Sequence, residues 1–185
     1  MGAVYLFRAS LDDAKDEFEK AYRIFEAQKD SLGQAATLTH LGEIACKKNK
    51  NQQAQEYLKQ DVKLILSGKS SPLLVDALAG VAQLLQVQGE DKKAISLLMV
   101  ALSNPTCRQQ TKDRMVSIAS ELETSFTPGE VDKGFRWAKG ADLEEMAQGW
   151  LNSLTLETVK KDAAHKSAKK KPAKKSVKPK SKRKK

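Results

Sequence analysis

Three alanines, Ala14, Ala54 and Ala94, recur 40 residues apart along the chain, each at the same place in a run of helical character. Around each one a polar pair precedes the alanine and a large apolar residue follows four positions later. The copies read Asp12-Asp13-Ala14 with Phe18, Gln52-Gln53-Ala54 with Leu58, and Lys92-Lys93-Ala94 with Leu98. Seven residues beyond the first and third alanines stand Ala21 and Ala101, whereas the second copy carries Asp61 there. The segments between the copies are helical too, with Leu38, Leu41, Ile44 and Ala45 in one and Leu74, Leu78, Val81, Leu84 and Leu85 in the other. Gly42 and Ala82 stand where two helices would need close approach. Turn signals fall at Lys48-Asn49-Lys50-Asn51, Ser67 to Pro72 and Gly89-Glu90-Asp91. The spacing predicts helices over 11–29, 31–48, 51–67, 71–88 and 90–103.

Paired helices of this size cannot bury their apolar faces singly, so stacking of neighbours is the physical solution. A buried Leu or Phe contributes about 1.5–3 kcal/mol, an exposed ion pair only about 0–1, so the apolar positions decide the fold. The expected fold class is all-α, an α-solenoid of helix–turn–helix repeats over 1–103, capping helices over 104–158 and a disordered tail over 159–185. In the capping part, Asn104-Pro105 reads as the start of a helix reaching about Ser125, and Thr127 with Glu130 as the start of another. Asp142 with Glu145 opens the last, and Trp137 and Trp150 are expected to be core anchors of the cap.

The formal net charge of +10 is unevenly placed. From Lys160 onward, 14 Lys and Arg stand against Asp162 alone, a net of +13, which leaves the remainder mildly acidic at −3. The tail has no aromatic residue and no leucine, so nothing in it offsets chain entropy. Its Lys169, Lys170, Lys171, Lys174, Lys175, Lys178, Lys180, Lys182, Arg183, Lys184 and Lys185 form a candidate polyanion-binding arm. Such a row neutralises phosphates without reading sequence, and base stacking is not open to it.

The residues exclude more than they select for catalysis. Gly68-Lys69-Ser70 lacks the glycine five residues earlier that a phosphate-binding loop needs, since Lys63 is there. His40 has no identifiable nucleophile or second base to work with. Cys46 and Cys107 have neither CxxC spacing nor clustered histidines, so they are read as packing residues and no metal or cofactor is expected. The apolar run near the start is too short for a membrane span or signal-peptide core, which makes the cytoplasm the default compartment.

Leu41-Gly42-Glu43-Ile44-Ala45 with Ala54 and Leu58, and Leu78-Ala79-Gly80-Val81-Ala82 with Gly89-Glu90 and Ala94, resemble tetratricopeptide repeats. The first unit keeps Gly2, Tyr5, Ala14, Phe18 and Ala21 of that pattern. The 40-residue period, the stretch from Leu97 to Leu122 and Ala138-Lys139-Gly140-Ala141-Asp142-Leu143-Glu144-Glu145 are similar to the C-terminal sensor regions of bacterial signalling ATPases and of LuxR- and MalT-like transcriptional regulators. The resemblance covers roughly residues 1–154 and implies a non-catalytic module that receives a protein or ligand signal. It also implies a chain that begins inside a repeat, as a fragment or split partner with an open N-terminal edge available for association. Carried over position by position, it directs Thr39, Glu43 and Lys47 of one unit and Asp76, Gln83 and Gln86 of the next toward a protein-binding groove. The alternative expectation is a nucleic-acid-binding accessory protein whose repeats only present or dimerise the tail.

Overall fold

A computed structural model of the chain describes residues 10–123 and 126–155. The described part is all-helical. Helices α1 (Leu11–Ala27), α2 (Ser31–Lys47), α3 (Asn51–Gly68), α4 (Ser71–Val87) and α5 (Asp91–Ser103) are followed by α6 (Gln109–Glu123) and α7 (Pro128–Ala138). Among the described residues, those up to Gly149 fall in one compact unit and those from Trp150 in another. A further helical stretch begins at 143 and runs to the last described residue, 155. Asp142 caps its start by accepting the Glu145 N–H at 2.9 Å, as the sequence predicts. None of the described helices is long and apolar enough to cross a membrane.

The backbone is more regular than the side chains. The first five helices begin at Leu11, Ser31, Asn51, Ser71 and Asp91, one every 20 residues. The residues that turn the chain between them, Lys29, Asn49, Lys69 and Gly89, all lie in the left-handed region, with φ of 56°, 55°, 54° and 77°. Three of these turns close with the same bonds. The N–H groups of Gln28, Lys29 and Asp30 donate to the carbonyls of Ile24, Glu26 and Phe25, and those of Lys48 to Lys50 and Gln88 to Glu90 repeat the pattern. A left-handed residue just past a helix end lets the next N–H groups reach the last free carbonyls. From α1 to α5, each helix is followed by the next after no more than three residues.

Packing follows from these reversals. Helix α1 lies on α2, α2 packs on α3 and α4, and α3 packs on α4; α4 packs on α5 and α6, and α5 packs on α6 and α7. Leu58 of α3 is wedged between two glycines: a Cβ added at Gly42 of α2 or at Gly80 of α4 would lie 2.8 Å from its side chain. Ala82, expected at a close approach, is fully buried, and Gly80 on the same helix also makes room for Leu58. Helix α4 is buried over nearly its whole central length, from Leu74 to Ala82 and at Leu84 and Leu85, because other helices cover it on several sides.

Two expectations about the later helices are corrected. Helix α6 begins at Gln109 and not behind Asn104, because the Asn104 side chain accepts from the Thr106 N–H (2.9 Å) and hydroxyl (2.7 Å) and so closes a local turn. Trp137 is no core anchor: it is 52% exposed. Helix α7 sets its small residues inward, Gly134 against Met99 of α5 and the buried Ala138, and this turns the indole outward. Trp150 is buried. The start of α7 is held as expected, with the Glu130 carboxylate accepting the Thr127 N–H at 2.9 Å and its hydroxyl at 2.8 Å. Those bonds hold the Glu130 carboxyl below its ordinary pKa. Gly2, Tyr5 and the expected truncated start of the first unit lie outside the described residues, as does the lysine-rich tail.

Candidate functional site

The six residues singled out for a groove fall on α2 and α4, and the structure divides them into two kinds. Lys47 is exposed and Gln83 and Gln86 are half-buried. Thr39, Glu43 and Asp76 are buried, each with a partner from elsewhere in the chain. The Thr39 hydroxyl lies 2.6 Å from a carboxyl oxygen of Asp61 on α3. Glu43 forms an ion pair with Arg114 of α6, and His40 Nδ1 stands 3.6 Å from its other oxygen. Asp76 pairs with Arg108, just ahead of α6, and accepts the Thr111 hydroxyl. Gln86 Nε2 donates to Glu121 of α6 at 2.7 Å.

Helix α6 is therefore the element that completes this face. Its Arg114 reaches Glu43 on α2, although α2 and α6 share no backbone packing. A carboxylate buried on α2 needs a cation to stay ionised, and the long guanidinium stem supplies one across the intervening helix. Arg108, Thr111, Arg114 and Glu121 were not among the sequence candidates, because their partners lie 32 to 71 positions away along the chain. Asp61 did leave a signal, as the acid in a column otherwise held by Ala21 and Ala101.

The electrostatics disfavour acid–base or thiol chemistry here. Burial, with Arg114 and Arg108 nearby, pushes His40 down to about 4, so the ring is neutral near pH 7. It stacks on Phe18 of α1 at a centroid distance of 4.6 Å. Burial pushes the Cys46 thiol up to about 12 and raises that of Cys107, so neither is a ready thiolate. Arg114 is lowered by burial to about 10 and stays cationic. No group of three or more potential ligands that could hold a metal ion occurs among the described residues. With Glu43 and Asp76 already neutralised by arginines, what the face offers outward is Lys47, Gln83, Gln86, Glu121 and the exposed edges of His40 and Arg108. Such a surface can form hydrogen bonds and steer charge.

Searches against family models, curated proteins and solved structures find no match.

Proposed function

We propose that the chain is a non-catalytic interaction module of stacked, tetratricopeptide-like helical repeats, which binds a protein segment along α2, α4 and α6 and holds a polyanion with its tail. The observation that carries this reading is the 20-residue recurrence of helix and left-handed turn, with every second helix, α2, α4 and α6, joined by polar side chains. Repetition of that kind builds a long lined surface and not a chamber. The likeness to bacterial sensor regions supports a scaffold or sensor role within a signalling or transcription-regulatory system. The +13 charge of residues 160–185 supports sequence-independent binding of nucleic acid.

A second reading, that the repeats only present or dimerise the tail, is favoured by the contrast between that charge and the mildly acidic remainder. Two measurements separate them. A photo-crosslinking residue at position 83 or 86 of the full chain should give a protein adduct that survives nuclease treatment and deletion of 160–185. Loss of every adduct with the tail would favour the second reading. DNA affinity of the full chain should fall on the order of a thousandfold between 50 and 200 mM salt, equally for unrelated sequences; a flat salt response would remove the tail from the proposal.

A further inference from the structure

The polar group that the candidate face does not account for is Asp61. It sits on α3 with 0% of its surface exposed, in a position that the neighbouring units fill with alanine. One carboxyl oxygen, Oδ2, lies 2.6 Å from Thr39 Oγ1; the other, Oδ1, is buried without a hydrogen-bond partner. Thr39 Oγ1 is in turn 3.4 Å from the Ala35 carbonyl on its own helix. A hydroxyl has one proton to give, and here two acceptors compete for it.

We infer that Asp61 is kept as the neutral acid and donates its proton to Thr39, so that the α2–α3 contact is a pH-sensitive fastening that ionisation loosens. With the proton on Asp61 Oδ2, the chain of donors runs Asp61 O–H to Thr39 Oγ1, and Thr39 O–H to the Ala35 carbonyl, and every proton is used. With Asp61 ionised, Thr39 must turn to it, and a carboxylate remains buried with one oxygen unserved and no cation beside it. That is an expensive arrangement in a low-dielectric interior.

The charged groups on the helices packed against α3 do not offset this cost. On α2, Glu43 is bound by Arg114, Lys47 is exposed and His40 lies over Phe18 and near Glu43; on α4, Asp76 is bound by Arg108 and Thr111. Burial raises the Asp61 carboxyl well above its ordinary 3.8, and the Thr39 bond opposes this only in part. Above pH 3.8 the unfolded chain releases the Asp61 proton while the folded chain retains it, so stability falls as pH rises until the folded carboxyl also ionises. Because α2 carries Glu43 and His40 as well, loosening this contact would disturb the candidate face.

The test is unfolding of the full chain as a function of pH, wild type against Asp61→Asn, whose amide mimics the neutral acid. The variant should match the wild type at acid pH and exceed it increasingly as pH rises, with the unfolding equilibria diverging by up to about tenfold per pH unit. A difference that stays constant with pH would overturn the inference. The carbon-13 resonance of the Asp61 carboxyl in the wild-type chain gives an independent readout. A transition above the usual aspartate range supports the neutral acid; one at or below about 4 overturns it, whether or not the variant folds.

Discussion

The first five helices and the two that follow them are held by different physics. From α1 to α5 the chain repeats a backbone unit every 20 residues, and apolar residues such as Leu58, Val62, Leu78 and Leu98 are enclosed between neighbours. Helix α6 keeps only a narrow apolar stripe, Met115, Ile118 and Leu122, and adds ion pairs from Arg108 and Arg114 to carboxylates on α4 and α2. In α7 only Ala138 is buried. The contrast separates a region whose stability comes from non-directional burial from a helix, α6, whose position is specified by a few charged contacts. Disturbances in the two should therefore differ in size and in reach.

The largest effect is expected at Leu58→Ala. The two glycine-bearing helices beside it are held apart by their other contacts, so the cavity cannot close fully, and the loss should be about 2–5 kcal/mol in chemical denaturation. It should lower the protection of α2, α3 and α4 together in hydrogen exchange. Confinement of the loss to α3 would break the view of a jointly stabilised region. Glu43→Gln comes next, at about 1–3 kcal/mol, below the ~3–5 of a fully enclosed pair because Arg114 reaches some solvent. Its mark should be faster exchange in α6 with little change in α3, and the double variant Glu43→Leu with Arg114→Leu should recover much of the loss.

This division also explains what could be read beforehand. The 40-residue period is a side-chain signal, visible because alanine and leucine return to equivalent contacts in alternate helices. The 20-residue spacing shows in the expected helix starts near 11, 31, 51, 71 and 90, but its backbone marker does not, because Lys29, Asn49, Lys69 and Gly89 share a left-handed angle without one common side chain. Thr39, Glu43 and Asp76 were expected to face a groove, yet they are buried against Asp61, Arg114, Arg108 and Thr111, and no local pattern announces a partner that distant. Trp137 misled for a related reason: bulk marks a core residue only when the helix turns that side inward.

A third, smaller effect sits at the start of the repeating region. His40 titrates near 6.5 in the unfolded chain and about 4 in the folded one. Between those values the unfolded chain binds more protons, so this ring contributes stability that is complete above pH 6.5 and lost as pH falls toward 4. The ring retains 37% of its side-chain surface in solvent, which reduces the effect below that at Glu43. His40→Phe keeps an aromatic ring against Phe18 and cannot charge, so the variant should show a shallower loss of stability than the wild type over that range. Parallel pH curves would show that the ring is not shielded. Asp61 tilts the other way, so over the pH range where both act the two slopes oppose and offset each other.

The smallest effect tests the backbone register itself. If the four turns are equivalent, the residue at each left-handed position is interchangeable in direction though not in cost. Lysine is strained at φ near 55°, whereas glycine is not, so Lys29→Gly and Lys69→Gly should each stabilise the chain by about 0.5–1 kcal/mol, partly offset by glycine's greater freedom when unfolded. Asn49→Gly should gain less, since asparagine tolerates this region, and Gly89→Ala should cost about 1 kcal/mol. Moving the substitution one residue back, Gln28→Gly or Gln88→Gly, should destabilise, because those residues are in the right-handed helical region and lose only conformational order. A gain at position 28 with a loss at 29 would mean that the turn is shifted by a residue, and the register from α1 to α5 would have to be redrawn.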